Sequence, residues 1–197
     1  VIPLTPDTVL AAYRQGIFPM ARSRHGPVDW YAPDPRGVLP LEAFHLPKSL
    51  AKVIRSGRFE ILADRDFAGV IDGCADRDST WISPAIRETY LELHRRGHAH
   101  SVEAWKGAEL LGGLYGVHID GAFMGESMFH RATDASKACL VALAEHLRAR
   151  GFLLLDIQQV TPLTQRFGGV AIPRSEYLRR LQRALQQPVE WGRFTFR

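Results

Sequence analysis

Two glycine-laced apolar runs, Leu110–Val117 and Ala122–Phe129, flank His118-Ile119-Asp120-Gly121, and nothing else in the chain constrains its fold as much. Asp-Gly between apolar strands signals a tight turn, because both residues tolerate the left-handed backbone that a two-residue hairpin requires. A β-hairpin is predicted here. After it, Thr133 or Asp134 can cap a helix in which Leu140, Leu143, Ala144 and Leu147 recur at helical spacing, and Gly151 stands where that helix should end. Phe152–Ile157 then reads as an apolar strand covered on both faces, delivering Asp156 and Gln158 to its end. A strand period of two puts that carboxylate and that amide on one face.

The rest of the chain fills in around this unit. At 197 residues, 46% hydrophobic and 23% charged, it can bury one sizeable core with a small appended unit, and disorder is disfavoured. No apolar run approaches a membrane span and the start lacks a signal pattern, so a cytoplasmic protein without membrane contact is expected, with Cys74 and Cys139 as free core thiols. Thr5-Pro6-Asp7 opens a short helix running to Gly16, and Ile17-Phe18-Pro19-Met20 reads as a proline-bent apolar plug before a basic loop. The prolines of Trp30–Pro35 exclude a helix and fit a boundary between a small N-terminal domain, residues 1–34, and a main domain, residues 35–197.

Lys48, Lys52 and Arg55 share one stripe of the next helix, either a solvated face or a seat for a phosphate backbone, which the net charge of +4 permits. Phe59–Leu62 reads as a strand, and Phe67, Val70, Ile71 and Cys74 as the buried face of a helix. Ser83-Pro84 starts another helix, to which Trp81 would act as a staple. His94, His98 and His100 lack partners at metal-ligand spacing, so no metal is expected. Ser101–Trp105 resembles a first central strand, and Pro173 opens a last helix with Tyr177 and Leu181 inward. The order predicts an α+β (mixed α/β) fold compatible with an acetyltransferase-like (GNAT-like) central sheet. The glycine-rich loop with which that class cradles a pyrophosphate is missing, however.

Chemistry is reached by elimination. Gly125-Glu126-Ser127-Met128-Phe129 lacks the second glycine and the context of a nucleophile elbow, and no Walker-type loop is present. Asp156, Gln158 and the neighbouring Glu126 remain. Spacing alone leaves open whether a buried carboxylate there serves chemistry or satisfies nearby donors.

The segments GGLYGV, GESMF, DASK and DIQ, with the upstream GIFPM, DPRGVLP, GCADR, TWIS and GHAHSVE, resemble the leucyl/phenylalanyl-tRNA–protein transferases in order from about Tyr13 to Tyr177. That resemblance implies a small N-terminal domain joined to an acetyltransferase-like domain that has lost its acyl-CoA role. It implies transfer of Leu, Phe or Met from aminoacyl-tRNA (Leu-tRNA, Phe-tRNA) to proteins with an N-terminal Arg or Lys, marking them for N-end-rule degradation. No cofactor is implied, since the donor is already an activated ester. By the same resemblance Asp156 and Gln158 form a catalytic relay, and Leu114, Phe123, Glu126, Met128, Leu143, Leu147 and Leu155 surround the amino acid. Trp81 contacts the terminal adenosine, and Lys48, Lys52 and Arg55 receive the acceptor arm. Met20 stands where some members carry Trp, and Leu143 and Leu147 where some carry Phe, which opens the Leu/Phe preference. An acyl-CoA-dependent N-acetyltransferase and a non-catalytic RNA-binding module are the competing readings. A catalytic Asp156 is expected to tolerate Asn without loss of stability.

Overall fold

The computed structural model describes residues 2–196. Thr5 caps α1 (Pro6–Tyr13) through a reciprocal box with Thr8. The apolar plug is in fact β1 (Phe18–Ala21), paired antiparallel with β2 (Val28–Tyr31) in a two-stranded ribbon, with Pro19 opposite Trp30. A ribbon of two strands has only edges, so the missing N–H of Pro19 breaks no ladder.

Seven further strands form one sheet. These are β3 (Arg36–Val38), β4 (Glu60–Ala63), β5 (Ala99–Lys106), β6 (Glu109–Ile119), β7 (Ala122–His130), β8 (Leu154–Gln158) and β9 (Val170–Ile172), in the order β4-β5-β6-β7-β8-β3-β9. Every neighbouring pair is antiparallel except β7 with β8. The three-residue strands β3 and β9 are too short to leave a periodic signal in sequence, and β3 carries a buried arginine.

The hairpin β6–β7 turns at Asp120, whose φ is +51°, with Ile119 opposite Ala122. Gly121 is required by its neighbour: its N–H donates to the Ala184 carbonyl at 3.0 Å, and a Cβ there would meet that oxygen at 2.8 Å. The ladder between β7 and β8 ends early. It joins Ala122, Phe123 and Met124 to Leu154, Leu155 and Asp156, while on its other edge β8 pairs with β3 as far as Gln158. A parallel pair that stops after three residues leaves a cleft between Glu126 on one strand and Gln158 on the other.

Helices cover both faces. One apolar cluster joins the sheet to α1, α3 (Phe67–Ala75), α4 (Pro84–Arg95) and α7 (Arg174–Leu185). The other joins it to α5 (Ala135–Arg150) and α2 (Lys48–Arg55), with α6 (Pro162–Gln165) alongside. The capping expected of α5 differs: Asp134 is the cap residue in the left-handed region, makes no side-chain cap, and instead pairs with Lys137 at 2.8 Å. Gly151 closes that helix at φ +83°.

His100 lies on β5 and His98 just before it, and the histidines anchor the segment after α7. His118 and His146 place Nε2 at 2.8 and 3.0 Å from the Val189 and Trp191 carbonyls, while Trp191 stacks on His100 at 4.3 Å. Cys74 and Cys139 are free and buried. No helix among the described residues is long and apolar enough to cross a membrane.

Candidate active site

β8 emerges from the core with Asp156 completely buried, and a carboxylate there needs donors. It has four. Oδ1 accepts from Arg36 Nε at 2.9 Å and from the Gln158 N–H at 2.8 Å; Oδ2 accepts from Arg36 Nη2 at 2.6 Å and from the Tyr177 hydroxyl at 2.8 Å. The Arg36 guanidinium is itself sandwiched, 4.8 Å from the Phe18 ring and 4.5 Å from the Tyr177 ring, and donates Nη1 to the Gly16 carbonyl. β3, α1's exit, α7 and β8 are thereby tied at one point. Removing the charge of Asp156 would strand a buried cation, so the expectation of a stability-neutral Asp156→Asn does not survive this geometry.

Gln158 ends β8 with φ +54°, a left-handed backbone that side chains other than Gly adopt only when neighbours hold it. The Asp156 carboxylate holds it through the Gln158 N–H. The side chain then points across the cleft, where Nε2 donates to Glu126 Oε1 at 3.1 Å. The same oxygen accepts from the Tyr13 hydroxyl at 2.5 Å, and Oε2 from the Tyr90 hydroxyl at 3.2 Å, with the two phenols 2.6 Å apart. Burial pushes the Glu126 carboxyl up to about 7; the Tyr13 hydrogen bond pulls the other way, the Asp156 charge adds to the rise, and Tyr90 and Arg36 again lower it. Glu126 can therefore exchange a proton near neutrality.

Leu114, Phe123, Leu143, Leu147 and Leu155 are all 0–3% exposed and belong to the α5-side cluster, with Met128 packed against it. Register confirms their closeness: Leu114 opposes Met128 and Phe123 opposes Leu155. Met20 and Trp81 lie in the other cluster as half-buried side chains, and the Trp81 carbonyl accepts from the Ala21 N–H at 3.2 Å, which brings the two together. Lys48, Lys52 and Arg55 stand apart from both groups, exposed on α2, and form no ion pair among the described residues. No group of three or more His, Cys, Asp or Glu is placed to hold a metal ion among the described residues.

Arg36, Tyr13, Tyr90 and Tyr177 were not legible as site residues. Their one signal was indirect: a lone carboxylate in an apolar strand demands partners from elsewhere in the chain.

Comparison with known proteins places this geometry in a context. A family model described as leucyl/phenylalanyl-tRNA protein transferase matches residues 38–182, and the model of that family's N-terminal domain matches residues 3–34. The chain is 52% identical over 188 residues to a leucyl/phenylalanyl-tRNA–protein transferase of Salinibacter ruber, covering 95% of this chain and 83% of that one. It is 55% identical over 184 residues to the one from Rubrobacter xylanophilus, covering 93% and 96%. Among solved structures, L-PGS from Bacillus licheniformis is similar at a TM-score of 0.42 and 9% identity, covering 77% of this chain and 49% of that one. At that score the structural likeness carries no argument.

Proposed function

The chain belongs to the leucyl/phenylalanyl-tRNA–protein transferase family, and from that premise we propose how its residues move a leucyl or phenylalanyl group from the tRNA ester to a protein amine. The observation that carries the proposal is the hydrogen bond of Gln158 to Glu126 across the cleft where β7 and β8 part. In the reaction the acceptor's α-amine attacks the ester carbonyl, an amide C–N bond forms, the ester C–O bond breaks, and the 3′-oxygen of the tRNA leaves with a proton. The amine must shed a proton as it attacks. Glu126, poised near 7, takes it, and the Gln158 amide orients the amine against it. The same carboxyl, now protonated, returns the proton to the leaving 3′-oxygen. Asp156 acts through position: with Arg36 and Tyr177 it fixes the left-handed turn that aims Gln158. Alignment of amine and ester supplies most of the remaining acceleration.

Leu114, Phe123, Met128, Leu143, Leu147 and Leu155 take the donor's apolar side chain, Met20 and Trp81 its adenosine, and the stripe Lys48, Lys52 and Arg55 the acceptor arm. We extend the donors to Met, and the acceptors to proteins with an N-terminal Arg or Lys, whose positive charge suits a cleft that carries the Glu126 carboxyl. Such a reaction belongs in the cytoplasm, where charged tRNA is found, and feeds N-end-rule degradation. We also propose that residues 1–34 form a small domain and 35–197 an acetyltransferase-like one. The antiparallel run β4–β7, followed by α5 and the parallel β8, supports that reading. The deciding experiment is transfer of labelled Phe from Phe-tRNA to matched peptides beginning with Arg, Lys or Ala. Product on the first two alone supports this acceptor class; equal product on all three removes it.

A further inference from the structure

A second site opens beside this cleft, where the end of α3, the end of β7, the first turn of α5 and α6 meet around a cavity of about 450 Å³. Three cations from three segments line it: Arg77, Arg131 and Lys137. Asp76 is the carboxylate on the wall, and Lys137 also holds Asp134 outside it. The cavity floor is apolar, from Met128, Phe129 and Leu163. Because Asp134 does not cap α5 with its side chain, the N–H groups of Ser136 and Lys137 make no hydrogen bond among the described residues. Ser136 lines the cavity while only 4% exposed, and its hydroxyl has no partner among the described residues either. Donors without a protein acceptor at a helix N-terminus suit a ligand that accepts hydrogen bonds. Cations beside the N-terminus of a 16-residue helix call for an anion.

The position of the cavity says which anion. Arg77 donates to the Met128 carbonyl, so the cavity wall is continuous with the strand that carries Glu126 two residues earlier. From Arg77 the chain reaches Trp81 in four residues, at most about 14 Å when extended. On the other side, Leu163 belongs to α6, and Phe167 just after it stacks on Phe44 at 5.5 Å and accepts the His45 N–H, next to the start of α2. The exposed Arg166 lies between. The cavity lining thus includes both the segment that leads to Trp81 and the helix whose end packs beside the start of α2, the two places assigned to the donor's adenosine and acceptor arm.

We propose that this cavity holds the phosphodiester on the 5′ side of the donor's terminal adenosine, gripped by Arg131, Lys137 and the first turn of α5, with the preceding nucleotide against Met128 and Leu163. This rests on the aminoacyl-tRNA reading above and adds to it the point at which the last phosphate is read. Phosphate here would register the ester over Glu126, because Arg131 directly follows β7, the strand that carries the carboxylate.

The test uses three donors with one acceptor peptide beginning with Arg: Phe-tRNA, 3′-O-phenylalanyl-adenosine, and the same compound bearing a 5′-phosphate. With the parent protein the 5′-phosphate should lower KM at least about tenfold, the scale of one or two charge-assisted hydrogen bonds. In Arg131→Gln/Lys137→Gln, KM for the phosphorylated donor should rise to that of the phosphate-free one, whose own KM and kcat stay unchanged. Ser136→Ala should move KM the same way by a smaller factor, with the melting midpoint checked for each variant. Equal losses on both small donors, or no loss on either, overturn the phosphate site and leave the transferase reading standing. Failure of the parent protein to transfer from any of the three donors brings down that reading, and the phosphate site with it.

Discussion

At Asp156 four donors share two oxygens, so Asp156→Asn is expected to lower stability by roughly 3–5 kcal/mol, the cost of leaving Arg36 buried without its counter-charge. Transfer per folded molecule should also fall, because the Gln158 turn loses its anchor; thermal melts and single-turnover transfer on the same samples separate the two effects. Glu126 behaves differently. Its carboxyl sits near 7 rather than at its ordinary 4.5, so the base form, and with it kcat, should grow as pH rises through 7. Glu126→Gln should lose that limb and lower the rate by about 10²-fold or more. Linkage gives the companion sign. A carboxyl raised in the native state stabilises fully below its unfolded value of 4.5, and that contribution is lost as pH rises through 7. The Gln variant should therefore out-melt the parent above pH 7, and a parent advantage there would remove Glu126 from its proposed environment. Sequence could say that Asp156 needed partners. It could not name Arg36, because the two lie 120 positions apart and no local pattern links them.

Elements were readable in proportion to their length and regularity. The β6–β7 hairpin, α5 and β8 announce themselves through turn chemistry, 3.6-residue spacing and an apolar run; β3 and β9, three residues each, carry no period to detect. On α5, Leu143 and Leu147 are 1% and 0% exposed, so Leu143→Phe should trade some stability for a filled pocket and shift preference from Phe-tRNA toward Leu-tRNA by about 1–3 kcal/mol. Parallel changes in kcat/KM for both donors would show that α5 does not line the pocket. On α2, changing Lys48, Lys52 and Arg55 to Ala touches no ion pair among the described residues, so folding should be unaffected. The slope of log affinity for tRNA against log salt should flatten by at most about two units. An unchanged slope in a fluorescence titration would mark the stripe as solvated surface.

For the molecule as a whole, the histidines that fasten the segment after α7 set an acid limit. Burial lowers the titration of His118 and His146, while their bonds to the Val189 and Trp191 carbonyls work the other way. His118 faces His100 and His98, and His146 faces Arg150, His100 and Asp64. A histidine depressed in the native state contributes its stability above the unfolded value of about 6.5, and the contribution falls away below it as the unfolded chain takes up protons. Melts between pH 8 and 5 should therefore fall, and His118→Gln should flatten part of that decline. The architecture was legible as mixed α/β, yet the early end of the β7–β8 ladder was not, since both strands continue past it in sequence. That short ladder makes the sheet two plates, β4–β7 and β8-β3-β9, riveted along a three-residue seam at one end. Past that seam the Gln158 amide still reaches Glu126, so the plates meet through catalytic side chains just where the backbone no longer holds them, and the spacing of the pair is left to those side chains to set.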